Sequence, residues 1–126
     1  MHCSFVLAPE PASAGDARRW AADIAVASGY RGVSEVLALL VSEVVTNAVI
    51  HAGSPGSLVI DVDEQRLRAE VDDRSDDVPA AVGEVDLLAV GGRGLQLLRD
   101  LSDAHGIERL VGGGKVIWFE LLRPPG

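Results

Sequence analysis

The sequence predicts an α+β fold: a two-layer sandwich in which a mixed, mainly antiparallel sheet carries helices on one face. Two observations point there. The alternating segments SLVIDVD and LRAEVDD, joined at Glu64 and Gln65, read as one hairpin, and two further strands flank the sequence VGGGK. Helical periods precede each pair, giving the order strand, helix, helix, two strands, loop, helix, two strands. With 126 residues, 48% of them hydrophobic, the chain has material for one core and is expected to form a single domain over residues 1–126. Aromatic residues make up only 4%, so the core must be aliphatic, with Phe5, Trp20, Tyr30, Trp118 and Phe119 as isolated large fillers.

Residues Ser4 to Leu7 form the first strand, closed by Pro9 and Pro11 because proline removes a ladder donor. A helix follows from about Ser13 to Ala27, and Gly29 supplies its stop. Ser34 and Glu35 open a second helix, which runs through EVLALLVSEVVTNAVIHA and ends at Gly53. Leu37, Leu39, Leu40, Val41, Val44, Val45, Ala48, Val49 and Ile50 cover most of its circumference, so it is expected to be largely buried. From Arg74 to Val90 no period of either kind persists, which predicts a mobile loop with at most a short helical turn. Gly91 to Ser102 reads as the third helix, through Leu95, Leu97, Leu98 and Leu101.

Composition excludes some functions. A formal charge of −8 with scattered basic residues argues against direct nucleic-acid contact, which requires a concentrated positive surface. The single cysteine, Cys3, forms no internal disulfide, and no Cys and His cluster has metal-ligand spacing. The N-terminus lacks a signal-peptide pattern, and no segment approaches about eighteen uninterrupted apolar residues. The expected location is therefore the cytoplasm, away from membranes.

On the apolar second helix, Glu43, Asn47 and His51 follow one another at four-residue spacing, so each is displaced by roughly 40° and about 6 Å and all share one face. Burying this polar line costs about 1 to 3 kcal/mol per unsatisfied group, more for a charge, and a ligand cavity would supply the missing partners. The same residues have a structural reading, in which Glu43 and Asn47 bond neighbouring loops and His51 satisfies the helix end. Downstream, Gly91, Gly92 and Gly94 precede a helix whose free amides suit an anion, with Arg93 adding charge. Glycine-rich turns before helices also occur without ligands, and Asp72 and Asp73 at a strand end are ordinarily solvated turn carboxylates.

Taken in order, SEVVTNAVIHA, VDDRSDDVP, GGRGLQLL and GGGKVIWFELL resemble the GHKL ATPases, most closely the bacterial anti-sigma-factor serine/threonine kinases of partner-switching systems. The resemblance spans roughly Ser34 to Leu122. It implies the Bergerat-type ATP-binding fold, with ATP and Mg²⁺ held between the helices and a lid over 74–90. It also implies roles: Asn47 as the Mg²⁺ ligand, Glu43 as the base accepting the hydroxyl proton, and Asp73 as acceptor for the adenine amino group. Gly92, Arg93, Gly94 and Leu95 would lie along the phosphates, with His51 near the triphosphate and Ser75 in the adenine loop. The implied partners are a sigma factor and an anti-anti-sigma antagonist protein, and a homodimer is compatible with an exposed apolar edge at the first strand.

The chain departs from the family pattern in two places. Where relatives carry Asp-x-Gly-x-Gly, it has Asp73, Arg74, Ser75, Asp76 and Asp77, and Val116 falls where many have a threonine supporting the aspartate through water. An alternative function is therefore a partner-binding module without phosphoryl transfer. A stand-alone ATPase, or the catalytic half of a two-component kinase, ranks behind both because no phosphorylatable dimerisation helix is present.

Overall fold

The computed structural model describes residues 1–52, 55–74, 83–84 and 93–124, with the side chains of 50–52, 83–84 and 93–95 outside that description. Among the described residues, six strands form one sheet in the order β1-β2-β3-β6-β5-β4. They are β1 (His2–Val6), β2 (Pro55–Val62), β3 (Arg66–Asp73), β4 (Gly83–Glu84), β5 (Ala104–Arg109) and β6 (Lys115–Leu122). Every ladder is antiparallel, so no parallel pair of a mixed sheet occurs among the described residues. The helices are α1 (Ala12–Ala27), α2 (Ser34–Thr46) and α3 (Arg93–Leu101), with a short 3₁₀ turn at Arg31–Val33 and a π-helical segment at Asn47–Ala52.

Helix α1 buries Ala17, Ala21 and Ala25 at four-residue spacing, and these small side chains let it pack closely on α2. It ends as its sequence requires: Gly29 takes φ +87°, and the Tyr30 N–H returns to the carbonyl of Ala25 at 2.8 Å, closing a Schellman turn. Tyr30 is fully buried and donates its hydroxyl to the Asp63 carbonyl at 2.8 Å, fastening the helical layer to the β2–β3 turn. In α2, Leu37, Leu40, Val41, Val44 and Val45 are all fully buried. The stretch Arg31–Val49 is apolar and long enough to span a bilayer, and this packing in the core accounts for that composition.

On the helix-covered side of the sheet, Leu58 and Ile60 of β2, Leu67, Ala69 and Val71 of β3, and Ile117, Phe119 and Leu121 of β6 complete the core. Trp118 departs from the expected core role. It lies on the opposite face, across Gly106, where an added Cβ would sit 2.7 Å from the indole, and the Arg68 guanidinium stands 4.2 Å above its ring. Glu120 shares that face and pairs with Arg68 at 3.1 Å and Arg66 at 3.3 Å.

Three more expectations need correction. The second helix does not stay α-helical to Ala52: from Asn47 it widens to i→i+5 bonding, a change that hydropathy cannot signal. Within the stretch predicted as a loop, Gly83–Glu84 pair with Arg109 and Glu108 as an edge strand too short for periodicity to reveal; the rest of 75–92 lies outside the described residues. Asp72 is not merely solvated. Its Oδ1 accepts the Ser57 N–H at 2.9 Å within the bulge where β2 shifts register between Pro55 and Leu58.

Candidate functional site

Asn47 stands at the junction between α2 and the π-helical segment. Its backbone N–H is shared between the carbonyls of Glu43 and Val44, and the residue is only 8% exposed. A π turn underwinds the helix, so a position four residues on falls slightly behind instead of ahead of its predecessor. The backbone of His51 is thereby carried back toward the line of Glu43. Glu43 is half-buried one α-helical turn before Asn47. The side chain of His51 lies outside the described residues.

The π segment leads straight into the sheet. Ala52 is three residues before Pro55, a span of at most about 11 Å, and Pro55 pairs with Asp73 at the end of β3. The segment also packs against β2 and β3, while α2 packs against α3. Asn47 and Asp73 therefore belong to adjoining elements at one end of the sandwich. Arg93, Gly94 and Leu95 form the first turn of α3, on the helix that meets α2, with their side chains outside the described residues. Ser75 and Gly92 lie outside the described residues altogether.

Asp73 ends the alternation Leu67, Ala69, Val71, so its side chain faces the helices, and it is 2% exposed. Directly opposite on β6 is Lys115, also 2% exposed, with Nζ 3.5 Å from Asp73 Oδ2. This corrects the placement of Val116, which pairs with Asp72 and lies on the other face of the sheet. Lys115, which follows three glycines in the sequence, is the residue that β6 sets beside the aspartate. The signal was available: Lys115 precedes Ile117 by two, so strand periodicity assigns both to the buried face. The turn itself is tightly fitted. Gly114 takes φ +86°, and a Cβ there would lie 2.5 Å from the Asp73 carbonyl oxygen, so β3 and its neighbouring turn touch backbone to backbone.

The described site thus contains a buried amide, a half-buried carboxylate one turn away, and a buried ion pair at the strand ends. A neutral amide oxygen suits a hard cation such as Mg²⁺, which takes oxygen ligands, and a buried carboxylate suits an amino donor on a planar base.

Comparisons with known proteins agree with this arrangement at the level of fold. The family model described as the histidine kinase-like ATPase domain matches residues 7–121. Among solved structures, the chain is similar to the crystal structure of the RsbU and RsbW domains of Rv1364c from Mycobacterium tuberculosis, with a TM-score of 0.68 and 18% sequence identity. The match covers 98% of this chain and 33% of that one, so the chain spans about a third of that protein's solved length. No curated protein matches the chain.

Proposed function

Because the chain belongs to the histidine kinase-like ATPase family, we propose that it binds Mg·ATP where α2, α3 and the end of β3 meet, and that it works as a cytoplasmic anti-sigma-type regulator. In this reading it phosphorylates a serine or threonine of a small antagonist protein and sequesters a sigma factor. The observation that carries the nucleotide site is the placement of buried Asn47 and buried Asp73 on adjoining elements, joined through the short link from the π segment to β2. The partner reading is supported by the order of the four motifs and by likeness to a structure that contains an RsbW domain.

Asn47 holds the metal through its amide oxygen, and Asp73 accepts the exocyclic amino group of adenine. The first turn of α3, with Arg93, Gly94 and Leu95, supplies N–H groups and positive charge to the phosphates, and the motif assigns Gly92 to the same task. Bound Mg²⁺ neutralises phosphate charge, which is most of what phosphoryl transfer requires. Glu43 accepts the proton of the attacking hydroxyl as the oxygen–phosphorus bond forms and ADP leaves. His51 and Ser75 are associated with the nucleotide by the motifs alone, without an assigned chemical role.

Calorimetric titration with ATP, with and without Mg²⁺, tests the site. Binding is expected to require Mg²⁺ for full strength and to weaken about tenfold or more in Asn47→Ala, the loss of one charge-assisted contact. The absence of binding at millimolar ATP would overturn the reading. With labelled ATP and a candidate antagonist, Glu43→Ala is expected to keep nucleotide affinity while losing at least about a hundredfold in transfer rate. Unchanged transfer removes Glu43 as the base, and tight binding with no transfer by the unmodified protein identifies a partner-binding module.

A further inference from the structure

The rung Asp73 with Lys115 places two opposite charges side by side, with side-chain exposures of 1% and 3%, at the end of a face otherwise filled by hydrocarbon. Below it, Val71 faces Ile117, Ala69 faces Phe119 and Leu67 faces Leu121, so the sheet holds these strands together without charge. Removing ions from water carries a penalty that their mutual attraction only partly returns, and an apolar pair of similar volume would stabilise the fold at least as well. Strand pairing therefore does not account for this ion pair. Its chemistry does suggest a use: a carboxylate accepts and an ammonium donates, and the rung sets one beside the other on the face that meets the helices.

We propose that Lys115 is a base-reading residue that donates to the N1 ring nitrogen of adenine while Asp73 accepts from the neighbouring amino group. The assignment rests on the nucleotide reading above and adds to it a residue and an atom. The Watson–Crick edge of adenine presents a donor beside an acceptor, and the rung presents an acceptor beside a donor, in complementary order. On this face of β6 the next residue is Ile117, so Lys115 is the polar group that the strand offers to a base held at Asp73. Gly114 fixes its approach, because the close contact with the Asp73 carbonyl sets where the strand starts.

The test compares nucleotides on the unmodified protein by calorimetry. ATP is expected to bind about tenfold or more tightly than 1-deaza-ATP, which lacks the N1 acceptor, since a hydrogen bond to a charged donor is lost. The 7-deaza analogue keeps both groups of the edge and is expected to bind within about twofold of ATP, a difference well below one such bond. In Lys115→Met, with folding confirmed by circular dichroism, the preference for ATP over 1-deaza-ATP is expected to vanish. If the variant does not fold, the analogue series on the unmodified protein decides alone. Equal binding of ATP and 1-deaza-ATP, tighter binding of GTP than ATP, or a Lys115→Met loss with the N1 preference intact would overturn the assignment while leaving the nucleotide site in place. Failure of ATP itself to bind overturns both.

Discussion

Along the helix-facing side of β3 and β6, the rungs Leu67 with Leu121, Ala69 with Phe119 and Val71 with Ile117 are apolar, whereas the rung that follows, Asp73 with Lys115, is ionic. All have the same backbone pairing and nearly the same burial. The difference therefore comes from side-chain chemistry alone, and in the proposed reading it marks where the sheet stops serving as core and begins to serve the nucleotide. The apolar rungs stabilise by removing hydrocarbon from water; the ionic rung depends on its two members neutralising one another.

The contrast breaks most sharply when one charge is removed. Asp73→Ala leaves an ammonium buried beside an apolar wall and is expected to lower stability by about 3 to 5 kcal/mol. Replacing both members, Asp73→Leu with Lys115→Met, is expected to return stability to the original value or exceed it by about 1 to 4 kcal/mol. Ile117→Val, one rung lower, removes a single methylene and should cost only about 0.5 to 1.5 kcal/mol with nucleotide affinity unchanged. Urea unfolding of the three variants measures the stabilities, and calorimetric ATP titration of Ile117→Val measures its affinity. A double variant as unstable as Asp73→Ala would show that the charges, and not their pairing, hold the end of the sheet.

The glycine turn sharpens the comparison at intermediate size. Gly112 and Gly114 have nearly the same backbone, φ +90° and +86°, but a Cβ at Gly112 meets nothing within 4 Å while one at Gly114 meets the Asp73 carbonyl oxygen at 2.5 Å. Gly112→Ala is expected to cost about 1 to 2 kcal/mol, the left-handed penalty alone. Gly114→Ala adds a backbone clash that must shift Asp73, so it is expected to cost more and to weaken ATP binding as well. Equal stability and equal affinity for the two variants would mean that the turn does not position the rung.

Much of this was legible in the sequence, and what was missed has physical causes. The hairpins were visible because one face of each strand is buried, which imposes the period of two on Leu67, Ala69 and Val71. The polar line Glu43, Asn47 and His51 stood out because its surroundings are so apolar. The widening at Asn47 was not legible, since α- and π-helical segments bury the same kinds of residue and differ only in backbone bonding. Lys115 was overlooked for a different reason. Three glycines before it suggested solvent, and a lysine buried within bonding distance of an aspartate requires knowledge of register, which the alternation implied but composition concealed. Trp118 shows the reverse error: its size suggested core, yet period two places it with Arg68, Glu70 and Glu120 on the outer face.

Asp63, in the β2–β3 turn at the other end of β3, offers the smallest effect and a useful control for Asp73. It is exposed, and its Oδ1 accepts the backbone N–H groups of Arg66 at 2.9 Å and Gln65 at 2.8 Å. These bonds favour the ionised form and hold its carboxyl below the ordinary carboxylate value. A lowered folded-state pKa means that the unfolded chain takes up the proton first as pH falls. The contribution is therefore complete above the unfolded value, about 3.9 for aspartate, and disappears as pH drops through the folded one. Asp63→Asn is accordingly expected to differ slightly from the unmodified protein at neutral pH and to converge with it under acid, in urea titrations run from pH 7 downward. A difference that persisted in acid would show that the contribution of Asp63 does not come from its charge. At Asp73 an amide is not expected to substitute, because there the neighbour is a buried cation whose charge the carboxylate offsets.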